Sequence, residues 1–346
     1  MSTPRPPEAL LADAYRIADE ILYPAAGEVD RIGIIPESHW SHLAGAGLFG
    51  IADAGARLDL TAVLEIQEVL TSGCLSTAFT WLQHHGVVIA LSSTSNAALR
   101  SELLADTVSG RLRAGVAHAG VVPTPPRMTA TRTTDGWIID GYAPFVSGWD
   151  IIDLLQISAR DVETDDVIAA ILPARRPIPE ITASPMHLSA GNATSTVFLR
   201  VEGLRVSDAQ IVSRVCLDDF FASQNIGLRI NGTLPFGLVR RATALLERLD
   251  DVHAARALRE RAGVIRARLD ESLSDTPALL DARADAARLA VEATSALVAA
   301  DGGRALVTGS TPERLAREAM FTLVAASRPQ VKDLLVQRFS GADNPS

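Results

Sequence analysis

The chain has 346 residues, of which 47% are hydrophobic, so it can bury a sizeable core and form two or three domains or subdomains. A formal net charge of -9 argues against DNA or RNA as a partner, because nucleic-acid binding depends on positive charge that meets phosphate. The two cysteines, Cys74 and Cys216, lie far apart and without CxxC spacing, so neither a disulfide framework nor a zinc site is indicated.

The same features predict a cytoplasmic protein. The sparse use of cysteine fits a reducing compartment. At the N-terminus, prolines and acidic residues stand where a secretory signal has a basic start and an apolar run. His84 and His85 interrupt the most apolar window, so no stretch reaches the roughly 20 apolar residues of a membrane helix. We therefore expect no membrane association.

The first third of the chain has apolar residues at three- and four-residue spacing, which is typical of amphipathic helices. Pro36 stands at the position that proline favours in the first turn of a helix. The predicted helices cover residues 8–28, 36–48, 59–70, 76–93 and 95–105. This third is predicted to be all helical.

Beyond Val108 the spacing of apolar residues changes to two, which indicates β-strands. Asp135-Gly136 lies between two such segments and is a strong signal for a β-hairpin. Prolines at 123, 125 and 126 predict a non-helical loop after the first strand. The predicted strands cover residues 112–118, 127–134, 137–142, 151–158, 167–173 and 196–201.

From Phe220 onward the helical spacing returns, with alanine and leucine on one face and arginine and glutamate on the other. The predicted helices cover residues 225–250, 254–273, 278–300 and 312–326. The order of elements predicts an α+β fold in three parts. These parts are an N-terminal helical domain (1–109), a central β-barrel-like or sheet domain (110–219) and a C-terminal antiparallel helical bundle (220–346).

Sequence motifs point to few kinds of chemistry. No HxxxH, HExxH or DxDxDG spacing occurs, so no metal site is expected. Walker and GxSxG motifs are absent from the sequence as well, and its GxGxxG spacing, Gly45 to Gly50, lies at the end of a predicted helix instead of after a strand, so nicotinamide and triphosphate sites of the usual kind are disfavoured.

Four residues are candidates for a ligand site. Ser147 lies in a turn-rich patch, His118 ends a predicted strand, and Gly302-Gly303 follow a long helix. Without further information, the favoured interpretations are an ordinary loop serine, a solvated turn histidine and a helix stop. A flat ligand on the patch, a cleft histidine and a phosphate near the glycines are the alternatives.

Several stretches resemble the acyl-CoA dehydrogenase family, and the similarity covers nearly the whole chain. Residues 136–160 (GWIIDGYAPFVSGWDIIDLLQISAR) are similar to the family's hairpin and flavin-contacting segment. Phe145-Val146-Ser147 stand there at its usual Trp-Ile-Thr or Trp-Ile-Ser. Residues 301–321 (DGGRALVTGSTPERLAREAMF) are similar to its HGGYGYTREYPVERLYRDAKI.

The resemblance implies a flavoprotein with FAD held between the β domain and the C-terminal bundle. It implies a homodimer or homotetramer that shares the cofactor, a small-molecule acyl thioester as substrate, and an electron acceptor protein as partner. Ser147 would lie beside the flavin's reactive ring, and Gly302 and Gly303 would face its adenosine side. Carried over by position, the cofactor-binding residues are Ala117, His118, Phe145, Val146, Ser147, Gly302 and Gly303.

The sequence departs from the family at the catalytic base. The family's glutamate position falls on Ala326, and the alternative position used by some members falls on Gly227. The catalytic residues therefore stay unassigned. The resemblance implies a flavin-dependent oxidoreductase that acts on an acyl thioester or related small molecule, with altered or weak α,β-dehydrogenation.

Two alternatives stay open. Phe145-Val146-Ser147-Gly148 is also similar to the Phe-Ser-Ser-Gly of two-component flavin monooxygenases, which share the fold and take reduced flavin from a partner reductase. The other alternative is a non-catalytic protein, either a ligand-binding protein or a subunit in a hetero-oligomer with an active homologue. The alternatives to FAD as the cofactor are FMN and the absence of any bound flavin.

Overall fold

Twelve α-helices and eight β-strands form the described part of the chain, which in this computed structural model comprises residues 5–56, 58–325 and 328–341. Helices come first, strands follow, and helices return at the end. This order confirms the predicted α+β class, with a sheet between two helical blocks.

The N-terminal block consists of six α-helices. A π-helical segment, Ile17–Leu22, joins the first two without a break, so the predicted helix over 8–28 is one continuous helical stretch. Asp59 accepts a hydrogen bond of 2.8 Å from the Ala62 amide and so fixes the start of the fourth helix. The helices are α1 (Pro7–Arg16), α2 (Tyr23–Ile32), α3 (Glu37–Gly45), α4 (Leu60–Gly73), α5 (Leu75–Ser93) and α6 (Ala97–Val108).

The central part is a mixed sheet of eight strands. The strands are β1 (Ala114–Ala117), β2 (Met128–Arg132), β3 (Gly136–Val146), β4 (Leu154–Asp161), β5 (Val167–Pro173), β6 (Ile181–Pro185), β7 (Val197–Ser207) and β8 (Ile211–Val215). Their order across the sheet is β6-β7-β3-β2-β4-β5-β8, and β1 pairs in parallel with β4. Buried apolar residues of most of these strands form one core.

The hairpin predicted at Asp135-Gly136 is present. Strands β2 and β3 pair antiparallel on either side of it, with Thr131 opposite Ile138. Gly136 is required there, because a Cβ at this position would collide with the carbonyl oxygen of Val206 on the neighbouring strand.

Other strand predictions differ from the structure at their ends. The strand predicted from residue 151 begins only at Leu154, since the amides of Ile151 and Ile152 bond back to the Gly148 carbonyl in a turn. Strands β6 and β8 were not predicted. Both are short edge strands with several exposed positions, and such strands lack the alternating apolar pattern on which the prediction depends.

The C-terminal block consists of six α-helices: α7 (Leu217–Asn231), α8 (Leu234–Arg248), α9 (Val252–Glu271), α10 (Thr276–Asp301), α11 (Thr311–Val324) and α12 (Pro329–Ser340). The single helix predicted over 225–250 is wrong, because the chain breaks at Gly232 and Thr233. Pro235 has no amide hydrogen to donate and disfavours a helical residue before it, so a new helix begins there. Helix α12 was not predicted.

Helices of the N-terminal block contact both other parts. Helix α8 packs closely on α4 at Gly237, where a Cβ would lie 2.7 Å from the Glu68 carbonyl oxygen. His84 on α5 accepts a hydrogen bond of 3.1 Å from the Ala114 amide at the start of β1. The division at residues 109 and 219 stays a prediction; α6 ends at Val108 and α7 begins at Leu217. None of the helices in the described residues is long and apolar enough to cross a membrane.

Candidate functional site

Ser147 follows the last residue of β3 and its hydroxyl is held by a chain of hydroxyl groups. Its Oγ lies 2.7 Å from Thr196 Oγ1, which lies 2.7 Å from Thr194 Oγ1. Thr194 in turn donates to the carbonyl oxygen of Gly191 over 2.7 Å. All three hydroxyl-bearing side chains are buried, so Ser147 is not the ordinary loop serine that the local sequence favours.

Phe145 lies two residues earlier in an unusual backbone conformation. Its φ is +57°, in the left-handed region, at a bulge where β3 loses register with β7 between Ala143 and Val146. A non-glycine residue there costs about 1–3 kcal/mol of strain. The bulge turns the phenyl ring outward, and 62% of the Phe145 side-chain surface is exposed while Val146 is buried.

The turn after Ser147 contacts helix α5. Gly148 has a φ of +89° and donates its amide to the Thr194 carbonyl oxygen at 2.7 Å. A Cβ at Gly148 would lie 3.4 Å from Thr80 Cγ2. The Thr80 hydroxyl is buried and has no hydrogen-bond partner among the described residues. A buried hydroxyl without a partner needs an ordered water or a shift of its neighbours to complete its bonding.

Strand β1 runs beside this turn and carries the next two predicted residues. At Gly115 a Cβ would lie 3.2 Å from the Ser147 carbonyl oxygen, so only glycine fits there without a shift. Ala117 is buried in the sheet core. His118 follows it at the strand end, roughly 10 Å along the strand from Gly115. The structure therefore places Gly115, rather than Ala117 or His118, beside the Ser147 turn.

His118 is half-buried and hydrogen-bonded rather than solvated. Its Nδ1 lies 2.8 Å from Ser158 Oγ, and its Nε2 lies 3.5 Å from Gln156 Nε2. Burial lowers the pKa of His118 to about 4, so the ring is neutral near pH 7. Gln156 Oε1 is buried and has no partner in the described chain. No motif or spacing in the sequence singles out Gln156 or Ser158.

An apolar cluster lies between helices α5, α8 and α11. Leu75, Phe79 and Leu234 are buried there, with Phe321 and Ala325 packed against them. Phe321 also contacts the loop that holds Ser147, since a Cβ at Gly191 would lie 3.1 Å from its ring. The cluster thus adjoins the hydroxyl chain and is suited to an apolar ligand group.

The family's catalytic base was sought at Ala326 and at Gly227, and only Gly227 lies among the described residues. Ala326 lies outside the described residues, directly after Ala325 of the apolar cluster. Gly227 lies on α7, and a Cβ there would meet open space. A buried carboxylate that the sequence did not single out, Glu318 on α11, is held by Arg314 at 2.7 Å. Burial raises the pKa of the Glu318 carboxyl, although Arg314 opposes this.

Gly302 and Gly303 lie at the end of α10, away from these contacts. Both are exposed, and a Cβ at either one would meet open space. Gly302 has a φ of +65° and ends the helix, which is the stop that its sequence context indicates. Contacts among the described residues do not join these glycines to Ser147, so any ligand shared by the two groups would have to bridge them from outside.

A separate cleft lies elsewhere. It measures about 660 Å³, lies between α4, α8 and α9, and contains none of the predicted site residues. Its arginines face carboxylates, as in Arg266–Glu68 at 2.9 Å and Arg229–Asp270 at 2.6 Å. The arginines that line the cleft are therefore paired with carboxylates of the same chain. Among the described residues, no group of three or more metal-ligating side chains occurs.

Comparisons with known proteins identify the fold. Residues 7–111 match the model of the acyl-CoA dehydrogenase N-terminal domain. The chain is similar to a chain of the electron transferring flavoprotein of Acidaminococcus fermentans, with 16% identity and a TM-score of 0.82, over 98% of this chain and 99% of that one. Butyryl-CoA dehydrogenase of Megasphaera elsdenii gives 16% identity and a TM-score of 0.80, over 98% and 100%.

A third solved structure is a glutaryl-CoA dehydrogenase of Mycobacterium smegmatis in complex with FADH2, with 13% identity and a TM-score of 0.79 over 98% of this chain and 96% of that one. No curated protein sequence matches this chain. Together these findings confirm the resemblance: the N-terminal third matches the acyl-CoA dehydrogenase N-terminal domain, and the whole chain has the fold of the acyl-CoA dehydrogenases with a divergent sequence.

Proposed function

We propose that this chain is a flavin-dependent oxidoreductase of the acyl-CoA dehydrogenase type that binds FAD and acts on an acyl thioester or a related small molecule. The observation that carries the proposal is the turn at residues 145–148, where an exposed aromatic ring stands beside a buried hydroxyl chain. The strained backbone of Phe145 supports a functional reason for this arrangement, since such strain is found mostly where a ligand is bound.

The residues around the turn fit a flat, partly polar ligand. Phe145 offers an exposed ring face, and the Thr80 hydroxyl and the Gln156 amide oxygen are buried polar atoms without a partner, to which a ligand would bond only on displacing the side chains that cover them. The neutral His118 ring would contact the same ligand without adding charge. Among the similar structures, the glutaryl-CoA dehydrogenase of Mycobacterium smegmatis is in complex with FADH2, and this supports FAD as the ligand here.

FAD, when bound, supplies a two-electron acceptor for the substrate. The apolar side chains of Phe79, Leu234 and Phe321 would hold the acyl group beside it and exclude water. Ser147 and Phe145 would orient the flavin ring from the sheet side. Neither Ala326 nor Gly227 supplies the carboxylate that removes the α-proton. Because a positioned base contributes about 10²- to 10⁴-fold in rate, we expect weak or altered α,β-dehydrogenation.

We propose that the active form is a homodimer or homotetramer. Gly302 and Gly303 are exposed and are not joined to Ser147 within the chain, which supports a cofactor shared between copies. A protein that accepts electrons from the reduced flavin would complete the cycle.

The same proposal includes a division of the chain into three domains, 1–109, 110–219 and 220–346. It also includes a cytoplasmic location.

The first experiment is a spectrum of the purified protein with and without added FAD. Uptake of FAD, followed by loss of its absorbance when an acyl-CoA is added without oxygen, is the expected result. A colourless protein that takes up neither FAD nor FMN contradicts the proposal and favours a ligand-binding protein or a non-catalytic subunit of a hetero-oligomer.

A two-component flavin monooxygenase is the second candidate. The lack of a carboxylate at Gly227 and Ala326 favours it, because oxygen activation by reduced flavin needs no base for an α-proton. Oxygen consumption that requires an external flavin reductase, with no bleaching by acyl-CoA, would select this candidate over the dehydrogenase.

A further inference from the structure

The hydroxyl chain at Ser147 can run in only one direction. A carbonyl oxygen only accepts hydrogen bonds, so Thr194 donates its single proton to Gly191 over 2.7 Å. Thr196, 2.7 Å from Thr194, must then donate to Thr194. By the same reasoning Ser147, 2.7 Å from Thr196, donates the third bond of the chain.

The consequence is that Ser147 has no proton left for a ligand. Its Oγ retains lone pairs, so it accepts a hydrogen bond from an N–H or O–H group and repels a lone pair. The three side chains are buried, and the chain is therefore shielded from water that would reorient it. The direction of the hydrogen bonds at Ser147 is set by the backbone carbonyl of Gly191, which can only accept.

We propose that this directed hydroxyl chain makes Ser147 an acceptor that favours the reduced, N–H-bearing form of a bound flavin over the oxidised form. The inference rests on the proposed function, in which Ser147 lies beside the flavin's reactive ring. The ring nitrogen N5 presents a lone pair in the oxidised flavin and an N–H in the reduced flavin. The preference concerns binding alone, and no bond is made or broken.

The test is the midpoint potential of FAD bound to the wild-type protein and to Thr194→Val. The substitution removes the acceptor of Thr196, which then donates to Ser147 and frees the Ser147 proton for the flavin. We expect the preference for reduced over oxidised FAD to fall about tenfold, which lowers the two-electron midpoint potential by about 30 mV.

Thr294→Val is the matched control. Thr294 is also buried, and its hydroxyl donates to the Ala290 carbonyl at 2.9 Å within α10. This variant removes the same group from a different place, so it should leave the midpoint potential at the wild-type value.

A second measurement needs no substitution and uses 5-deaza-FAD, which carries a C–H in place of N5. The wild-type protein should bind oxidised 5-deaza-FAD at least as tightly as oxidised FAD, because the lone-pair repulsion is gone. Binding about tenfold weaker than that of FAD would show that Ser147 donates, and an unchanged potential in Thr194→Val would show that the chain has no effect. Either result overturns the inference and leaves the proposed function standing. A wild-type protein that binds no FAD overturns the proposed function itself.

Discussion

The ring of Phe321 on α11 packs edge-on against the ring of Phe79 on α5, with 4.9 Å between the ring centroids and an interplanar angle of 83°. This contact joins the N-terminal and C-terminal helical blocks at the apolar cluster beside Ser147. Phe321 also contacts Gly191, the acceptor at the end of the hydroxyl chain. The Phe321 side chain thus contacts both the apolar cluster proposed to hold the acyl group and the loop whose Gly191 carbonyl ends the hydroxyl chain of Ser147.

Phe321→Ala should destabilise the protein by about 3 kcal/mol, because it removes a ring from a packed contact between two blocks. It should also weaken FAD uptake by loosening the loop that carries Thr194. Urea unfolding and FAD titration measure the two effects. Phe339→Ala, at an exposed ring on α12, is the control and should change the unfolding free energy by less than about 0.5 kcal/mol. Equal losses in the two variants would contradict the assigned role of Phe321.

Substitution by methionine should change the unfolding free energy much less at one buried arginine than at another. Arg314 is paired with Glu318 at 2.7 Å. Arg283 on α10 donates from Nη2 to the Thr322 carbonyl at 3.1 Å, and its Nε and Nη1 have no partner among the described residues. Burial without a carboxylate lowers the pKa of Arg283 to about 10. Arg283→Met removes a charge that burial disfavours, so its stability should stay within about 1 kcal/mol of wild type.

Arg314→Met leaves the Glu318 carboxylate buried and alone, and should cost about 3–5 kcal/mol at pH 7. Part of that cost should vanish at lower pH, where Glu318 takes up a proton. Urea unfolding at pH 7 and pH 5 measures both variants. A larger loss for Arg283→Met than for Arg314→Met would show that Arg283 has a strong partner.

Acid should destabilise the protein through its buried histidines. Burial lowers the pKa of His85 to about 4, and its ring nitrogens lie 3.0 Å and 3.1 Å from the carbonyl oxygens of Trp81 and Leu48. The unfolded chain protonates His85 near pH 6.5, so the stabilisation is complete above that pH. It is lost as the pH falls toward 4, by about 3 kcal/mol in all and by about 2 kcal/mol at pH 5.

His85→Gln should therefore lose about 2 kcal/mol less than wild type between pH 7 and pH 5 in urea unfolding. His253→Gln, at an exposed histidine on α9, should follow the wild-type pH profile. Identical profiles for all three proteins would mean that folding does not lower the pKa of His85.

The sequence predicted those features that depend on neighbours along the chain. The turn at Asp135-Gly136 and the change of apolar spacing after Val108 are local, and both appear in the structure. The break before α8 was missed because one proline outweighed a continuous helical pattern. The contact between Thr196 and Ser147 was not predicted, for a different reason. It meets Ser147 through the pairing of β3 with β7, and no local pattern in one sequence encodes such a partner.

The resemblance to the acyl-CoA dehydrogenase family supplied what local patterns lacked, and the comparisons confirm that resemblance. Its site residues stay predictions. Phe145 and Ser147 lie near the start of β1, His118 follows the other end of that strand, and Gly302 and Gly303 do not join them among the described residues. In the proposed oligomer a second copy brings Gly302 and Gly303 to the Ser147 turn. Contacts between copies leave no local pattern in the sequence of one chain.

Gly227→Glu tests the absent base directly. A Cβ at Gly227 meets open space on α7, so the larger side chain should be accommodated and the helix should gain about 0.5–1 kcal/mol in propensity. If FAD and an acyl-CoA bind as proposed, the new carboxylate should raise the rate of flavin bleaching by at least about 10²-fold. Stopped-flow absorbance without oxygen measures that rate.

Gly263→Glu is the matched control, because Gly263 lies in the interior of α9 and a Cβ there also meets open space. It should gain the same stability as Gly227→Glu without any change in the bleaching rate, since a carboxylate on α9 does not lie at the family's base position. An equal rate in both variants, with FAD bound and the fold intact, would mean that α7 does not face the substrate. The dehydrogenase proposal would then give way to the monooxygenase, whose chemistry needs no base on this helix.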